Sequence, residues 1–251
     1  MNNKTLSKKI FSAKFQSAVL ILLFIFSSSA FAQETKTILY WGEQLLANTP
    51  ADNTNYTHKT PIVKWKGVDG AEEYECRTDC SGLINQLIKQ TYNISDATFN
   101  KWMKKKKRAY AKDYYNQIKK GNGFQGFSNI KDAKPGDVIA IKFPKLMDDT
   151  GHIMLIREAA VEMEASAPIV EGTKQWKVHI MDESSHGHGT TDTRHLGGNK
   201  YRAGLGTGYF RIYTDDAGEI VGYCWSTEKG SSYQKGDVRK VIIGRIDKKF
   251  D

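Results

Sequence analysis

The sequence lacks any long apolar segment after its first 32 residues, so it offers no second candidate for a membrane-spanning helix. It also lacks internal repeats and low-complexity linkers at which the chain would divide. About 219 residues follow the N-terminal segment, and this length is enough for one domain with a sizeable core. We therefore expect residues 33–251 to form a single domain.

The first 32 residues have the pattern of an export signal. Four lysines lie before residue 15, residues 18–26 are apolar throughout, and Ala30-Phe31-Ala32 has the small-x-small pattern that signal peptidase cleaves. We expect cleavage before Gln33; the alternative, an uncleaved anchor, is disfavoured by the short apolar run. The mature protein is then periplasmic or secreted, without stable membrane insertion. Its formal charge falls from +9 to about +5, which suits an anionic envelope polymer but is also common without one.

Cysteine is scarce, with only Cys76, Cys80 and Cys224 in the chain. An odd number in an exported protein leaves at least one thiol unpaired, unless it bridges to another molecule. If Cys80 is the reactive thiol, Cys76 and Cys224 can form a disulfide, although the sequence does not decide among the three pairings. A bond between Cys76 and Cys80 would remove the reactive thiol. No cysteine lies at the end of the N-terminal apolar run, so no lipoprotein acceptor is present.

The hydrophobic pattern changes period along the chain. Residues 37–47, the segment after Cys80 and residues 96–120 have helical character, and the polar residues 48–60 predict a loop. Residues 215–218 predict a hairpin turn. Short apolar runs in the second half predict strands at 138–141, 153–156, 178–181, 209–213, 220–225 and 241–246. A helical first half followed by a stranded second half predicts an α+β fold.

The segment Thr78-Asp79-Cys80-Ser81-Gly82-Leu83 is the most informative part of the sequence. Asp79 is a suitable N-cap, and apolar residues at helical spacing follow it, which predicts a helix that begins at Cys80. Unpaired amides and the macrodipole favour negative charge at a helix N-terminus, so a thiolate is stabilised there. Cys80 is therefore the candidate nucleophile.

A cysteine nucleophile needs a base within hydrogen-bond reach, and the base needs a third group that orients it. His152 begins a predicted strand directly after a turn, so its ring can project from the edge of the sheet toward the helix tip. It is the best placed of the six histidines, and we predict that it is the base.

Three ordered motifs resemble those of the NlpC/P60 cysteine peptidases, a papain-like superfamily of cell-wall hydrolases. They are Asp-Cys-Ser-Gly-Leu at 79–83, Lys-Pro-Gly-Asp-Val at 134–138 and Gly-His-Ile-Met-Leu-Ile at 151–156. The resemblance covers roughly residues 76 to 184, about half of the mature chain. It implies a papain-like α+β fold, in which the helical first half carries the nucleophile and packs on an antiparallel sheet.

The resemblance also implies a reaction. Cys80 would be the nucleophile, His152 the general base and acid, and amide bonds in peptidoglycan stem peptides the substrate. We expect no cofactor, no metal ion and no nucleic-acid partner.

The third catalytic position lies, in that family, on the strand after the catalytic histidine, where a polar residue orients the base. Residues 177–184 occupy this place here, after an unusually long insertion at 158–175. His179 and Asp182 point to opposite faces of a strand, so both cannot serve. We favour Asp182, because a carboxylate holds the imidazole tautomer and stabilises its charged form. His179 is the alternative.

Two regions depart from the family. The usual tyrosine upstream of the cysteine has no match, so its role is unassigned, and Tyr74 is one candidate for it. The tail beyond Thr190 lies outside the resemblance. Residues 186–195 hold three histidines with Asp192 and Arg194, at a spacing unlike that of most zinc sites. We expect a loop at the rim of the cleft, in which Arg194 meets a stem-peptide carboxylate, or equally a plain surface loop.

Two other functions fit the same residues. A papain-like acyltransferase would use the same dyad and pass the acyl group to an amine. A non-catalytic envelope-binding module would keep the fold with an inert Cys80. The basic run 104–108 can contact an anionic polymer, although a solvated face is the commoner role of such a run.

Overall fold

The computed structural model describes residues 36–145 and 149–250. The expected export signal at 1–32 lies outside these residues. In the described ranges, no helix combines the length and the apolar character needed to cross a membrane. The α-helices there are α1 (Ile38–Asn48), α2 (Cys80–Tyr92), α3 (Asp96–Trp102) and α4 (Ala111–Lys119), and two short 3-10 helices lie at Ala51–Asn53 and Ile130–Asp132.

A small three-stranded sheet precedes α2. It consists of β1 (Thr54–Tyr56), β2 (Ile62–Lys64) and β3 (Glu75–Thr78), and β3 lies in the middle. β1 pairs with β3 in parallel, with Tyr56 opposite Thr78, while β2 pairs antiparallel. The prediction of a loop over residues 48–60 is therefore wrong in part. This sheet fixes the chain immediately before Cys80.

A nine-stranded antiparallel sheet forms most of the remaining fold. Its order is β13-β12-β11-β8-β6-β5-β14-β4, with β7 paired to β8, while β9 and β10 form a separate hairpin. The strands are β4 (Phe124–Phe127), β5 (Val138–Lys142), β6 (Gly151–Ile156), β7 (Val161–Met163), β8 (Lys174–Ser184), β9 (His195–Gly197), β10 (Lys200–Tyr201), β11 (Gly204–Thr214), β12 (Ile220–Cys224), β13 (Gln234–Lys235) and β14 (Lys240–Ile246).

The end strand β4 meets β12, the second strand from the other end of this sheet. The chain just after β4 bonds to the chain just before and at the start of β12, because the Ile220 amide donates to the Ser128 carbonyl at 3.0 Å and the Ile130 amide donates to the Gly218 carbonyl at 3.3 Å. Twist accumulated over many strands produces this curl. The sheet therefore has an inner and an outer face.

Both faces of the sheet are buried. Alternate residues of β5, β6 and β8 face a core shared with α1, α2 and α4: Val138, Ala140, Ile153, Leu155 and Met181. Their neighbours face a second core inside the curl: Ile139, Ile141, Met154, Ile156 and Ile180. A strand covered on both faces has no polar positions, which explains the continuous apolar runs of β5 and β6.

Helix α2 connects this sheet to the candidate nucleophile. The Asp79 carboxylate accepts a hydrogen bond from the Gly82 amide at 2.7 Å, and Asn93 ends the helix in the left-handed conformation. The apolar stripe predicted from the sequence is fully buried: Leu83, Ile84, Leu87 and Ile88. Because α2 packs against β6 and β8, its first turn lies near the residues of those two strands.

The expected papain-like α+β fold, with a helical first half packed on an antiparallel sheet, is wrong. The structure is 33% strand and 22% helix, and its first half already contains β1 to β4. The six predicted strands all coincide with strands of the large sheet, and the turn at 215–218 connects β11 to β12. What local periodicity missed is the pairing of distant strands into one curled sheet.

The predicted helical stretch 96–120 is interrupted. It forms α3 and α4, separated by eight residues that include the whole basic run 104–108. Lys104 lies in the left-handed region at φ 54°, which no continuous helix of L-residues accommodates.

Candidate active site

Cys80 is the first residue of α2 and is only 5% exposed. Its neighbour Asp79 is held by the Gly82 amide, by the Ser81 hydroxyl at 2.9 Å and by the Arg108 guanidinium. Burial raises the pKa of Asp79, but the Gly82 hydrogen bond and the Arg108 charge outweigh it and hold that pKa below the usual value. The turn that carries Cys80 is therefore fixed by an ionised cap.

His152 lies at the start of β6, with 12% of its side chain exposed. Its Nε2 lies 2.6 Å from Asp182 Oδ2, which leaves Nδ1 as the nitrogen available to the thiol. Burial lowers the pKa of His152, but the charge of Cys80 and the hydrogen bonds to Asp182 and Cys80 outweigh burial and raise it to about 10. The imidazolium is thus favoured at neutral pH. The Trp225 ring stands edge-on to it at 5.4 Å.

Asp182 lies on β8 and is fully buried. One of its oxygens, Oδ2, is shared by His152 and by His188 Nε2, which lies at 3.0 Å, and Arg194 Nη2 lies 2.8 Å from Oδ1. Burial raises the pKa of Asp182, but the Arg194 and His188 charges and the histidine hydrogen bonds outweigh it and hold that pKa well below the usual range. Asp182 is therefore ionised beside His152.

His179, the alternative third residue, lies elsewhere. Its Nδ1 is 2.8 Å from Glu158 and its Nε2 is 2.7 Å from the Thr207 hydroxyl and 3.0 Å from Arg157 Nη1. It points to the opposite face of β8 from Asp182, as strand alternation requires. The structure thus brings Cys80, His152 and Asp182 together and leaves His179 out.

The sequence did not reveal that the segment after β8 is buried. Arg194 is fully buried and binds Asp192 through two hydrogen bonds, from Nε at 2.9 Å and from Nη2 at 2.8 Å. The expectation that Arg194 meets substrate at the rim of the cleft, or lies in a plain surface loop, is therefore wrong. Buried charge looks like surface charge in a sequence, because its partners are distant residues.

His152, Asp182 and His188 offer three ligand atoms within 4.8 Å of one another. A zinc ion would have to lie about 2.0–2.2 Å from each of these atoms. The Asp182 oxygen instead lies at hydrogen-bond distance from both imidazoles, and the carboxylate is already neutralised by Arg194. These contacts account for the cluster as a network of hydrogen bonds and ion pairs.

Tyr56 is a site residue that the sequence did not reveal. It lies on β1 opposite Thr78, and its ring stands edge-on to His58, whose Nδ1 is 3.4 Å from Asp79. Burial, followed by the charges of Cys80 and Asp79, raises the pKa of Tyr56, so its hydroxyl stays neutral and able to donate. Tyr74, in contrast, packs against the core that the sheet shares with α1, α2 and α4, the helix-side core.

A cavity of about 330 Å³ opens beside His152. Its walls include three aromatic side chains, and polar backbone and hydroxyl groups come from the segment after β8. The lining residues are Tyr56, Phe143, Asp149, Gly151, His152, Ser184, Ser185, His186, Gly187, His188 and Trp225. A groove of this size beside the His152 imidazole can receive a short segment of a peptide.

All three cysteines are free thiols, so within the described part of the chain no disulfide joins Cys76 to Cys224 or to Cys80. Cys76 is in hydrogen-bonding contact with Glu183, and burial raises its pKa well above the usual value. Cys224 lies near the Tyr213 hydroxyl and the Ser231 carbonyl. Cys80 is therefore the thiol that has an imidazole partner.

No family model matches the sequence, and no solved structure matches it. The resemblance to NlpC/P60 peptidases therefore rests on the three motifs alone. The chain is similar to the uncharacterized protein R653 of Acanthamoeba polyphaga mimivirus, with 37% identity over 220 residues. The match covers 83% of this chain and 96% of the viral protein. At this identity and coverage, the chain belongs to the same family as the mimivirus protein.

Proposed function

We propose that this protein is an exported cysteine hydrolase that cleaves amide bonds in peptidoglycan stem peptides. The observation that carries the proposal is that three side chains contact one another in series: a thiol at a helix N-terminus, the imidazole of His152 and the carboxylate of Asp182. A nucleophile, a base and an orienting acid in this order define the arrangement for acyl transfer through a covalent intermediate.

The reaction follows from the arrangement. His152 Nδ1 holds the proton of the Cys80 thiol as an imidazolium, and the Cys80 sulfur attacks the carbonyl carbon of the amide. The amide N–H of Cys80, which has no partner within the first turn of α2, stabilises the oxyanion. His152 then gives the proton to the leaving amine, and a thioester forms on Cys80. Water, deprotonated by His152, attacks the thioester and releases the carboxylic acid and the thiol.

Asp182 supports both halves of this cycle. By accepting from Nε2, it keeps Nδ1 directed at the thiol, and its charge stabilises the imidazolium that forms twice per turnover. Because Arg194, His188 and the hydrogen bond to His152 hold the pKa of Asp182 well below its usual range, Asp182 does not take the proton itself.

The substrate class rests on the three motifs and on the groove. The motifs resemble those of enzymes that cut peptidoglycan, and a cavity of about 330 Å³ matches a short peptide segment. The expected export signal favours a periplasmic or secreted location, where this polymer is found.

The test is digestion of purified peptidoglycan and of defined muropeptides. Wild-type protein is expected to release fragments with a new amine and a new carboxyl group, and Cys80→Ala to release none. Cys224→Ala is the matched control, since that thiol is also buried and has no imidazole partner among the described residues. Equal release by Cys80→Ala would reject the proposal, and transfer of the acyl group to an added amine would identify an acyltransferase instead.

A further inference from the structure

The segment after β8 ends in a network of buried charges that the catalytic mechanism above does not explain. It holds His188, Asp192 and Arg194, which are 3%, 4% and 0% exposed. All three lie beyond or at the limit of the region that resembles known peptidases. Buried charges cost several kcal/mol each unless they are paired, so their presence beside Asp182 requires a role.

We infer that His188 is a positioning residue of this site. Its ring is a doubly protonated imidazolium, and it holds the Asp182 carboxylate toward His152. The inference rests on the proposed function, in which Asp182 orients His152. His188 touches neither the thiol nor the groove's reacting atoms directly, so it acts through Asp182.

The charge of His188 follows from its two partners. Its Nδ1 lies 2.6 Å from the Trp225 carbonyl oxygen, and its Nε2 lies 3.0 Å from Asp182 Oδ2. A carbonyl oxygen and an ionised carboxylate both accept and neither donates. Both ring nitrogens must therefore carry a proton. Because His188 is 3% exposed, water is not at hand to replace either bond.

The surrounding groups balance this charge. Asp182 faces His188 from β8, and His152 faces the same carboxylate from β6. On the segment of His188 itself, Asp192 accepts from the His188 amide at 2.8 Å and Arg194 pairs with Asp192. Glu228 lies farther out and accepts from the Thr190 amide. The inner network then has six groups: the Cys80 thiolate, the Asp182 and Asp192 carboxylates, the His152 imidazolium, the Arg194 guanidinium and His188. Their net charge is zero when His188 is charged and −1 when it is neutral.

The strand beneath this network is shaped to hold it. A Cβ atom at Gly208 would lie 2.7 Å from Asp192 Oδ2 and 2.8 Å from His188 Cβ, and a Cβ at Gly206 would collide with the Arg194 side chain. Arg194 Nη1 also donates to the Gly204 carbonyl at 3.1 Å. Gly206 and Gly208 therefore provide the space in which His188, Asp192 and Arg194 pack.

The experiment uses a matched pair of variants. His188→Gln keeps a donor near the position of Nε2, toward Asp182, whereas His188→Asn keeps a donor near the position of Nδ1, toward Trp225. Both remove the charge. The readout is the rate of Cys80 alkylation by iodoacetamide as a function of pH, measured by mass spectrometry of the peptide that contains Cys80. This readout requires no peptidoglycan, so it stays valid if the substrate assignment fails.

His188→Asn is expected to move the midpoint of the alkylation profile upward by about one pH unit, roughly a tenfold loss of thiolate at a given pH. His188→Gln is expected to move it less. Unchanged midpoints in both folded variants would overturn the inference, as would an equal shift in the two. Wild-type protein supplies a measurement that does not depend on the folding of variants: ¹⁵N NMR of the His188 ring at neutral pH should show two protonated nitrogens, and a neutral tautomer would overturn the inference.

Discussion

Asp182 and Glu183 are adjacent on β8 and equally buried, yet their surroundings hold them in opposite protonation states. Asp182 contacts two imidazoles and a guanidinium, which keep its pKa well below the usual range despite burial. Glu183 faces the Cys76 thiol and the Thr54 hydroxyl, and burial raises its pKa to about 8. Burial alone thus makes a carboxyl group neutral, and only surrounding cations keep it charged where a base needs it.

The two thiols that accompany these carboxyl groups differ in the same way. Cys80 has the imidazole of His152 beside it, and the raised pKa of that imidazole, about 10, favours its protonated form at neutral pH. Cys76, on the preceding strand, has only a neutral acid, and its pKa lies well above the usual value because of burial. The proposed function therefore gives two cysteines four residues apart separate roles, Cys80 as the reactive thiol and Cys76 as a structural one.

The largest expected effect tests the two carboxyl groups with the same chemical change. Asp182→Asn should lower kcat on muropeptides by about 10⁴-fold, because the amide no longer fixes the imidazole tautomer. Glu183→Gln should change kcat less than about twofold at neutral pH, because an amide replaces an acid that is already neutral. Equal losses in the two variants, both folded, would contradict the comparison.

The next largest effect is expected at Arg194, the cation that pairs with Asp182. Arg194→Met removes the partner of Asp182 and Asp192 and leaves buried carboxylates with too little positive charge. We expect the free energy of unfolding in urea to fall by about 3–5 kcal/mol. The control is Lys240→Met, an exposed charge on β14, which should change it by less than about 0.5 kcal/mol. A loss at Arg194 no larger than that of the control would refute the proposed balance of charge.

Much of the nucleophile side could be predicted from the sequence, because its determinants are local. Asp79 as N-cap, the apolar stripe of α2 and the position of Cys80 all lie within ten residues, and His152 starts a strand with a clear apolar run. Alternation along β8 predicts that Asp182 and His179 lie on opposite faces of the strand.

The other half of the site could not be predicted, because its determinants are distant in the chain. From the sequence, Arg194 resembles a surface residue, because its burial depends on packing against the distant strand β11. Tyr56 lies in a polar stretch that becomes a strand only by pairing with β3. The curl of the large sheet depends on contacts between residues 128–130 and 218–220, which no local pattern encodes.

A smaller effect follows from the protonation of Glu183. The pKa of this acid is raised in the folded state, so its contribution to stability is complete below the unfolded pKa of about 4.5 and is lost as pH rises through about 8. Relative to Glu183→Gln, wild-type protein should lose about 3 kcal/mol of unfolding free energy between about pH 5 and about pH 8. Parallel stability curves for the two proteins would show that Glu183 is not protonated when buried.

The smallest effect tests the two tyrosines. Tyr56→Phe removes a neutral hydroxyl from the groove and should lower kcat/KM on muropeptides roughly tenfold, the usual value of one hydrogen bond. Tyr74→Phe, which alters a residue at the edge of the helix-side core, should leave kcat/KM within about twofold. The reverse result would assign the site tyrosine to Tyr74.

The central claim is that Cys80, served by His152, forms a covalent bond to the acyl part of a stem peptide. Its most direct test is to mix the protein with a defined muropeptide, quench in acid within the first turnovers and determine the mass of the peptide that contains Cys80. We expect an added mass equal to that of the acyl fragment, attached to Cys80 and absent in His152→Ala. Two results would contradict the role of Cys80: cleavage of the muropeptide without an added mass on any cysteine, or undiminished activity in Cys80→Ala.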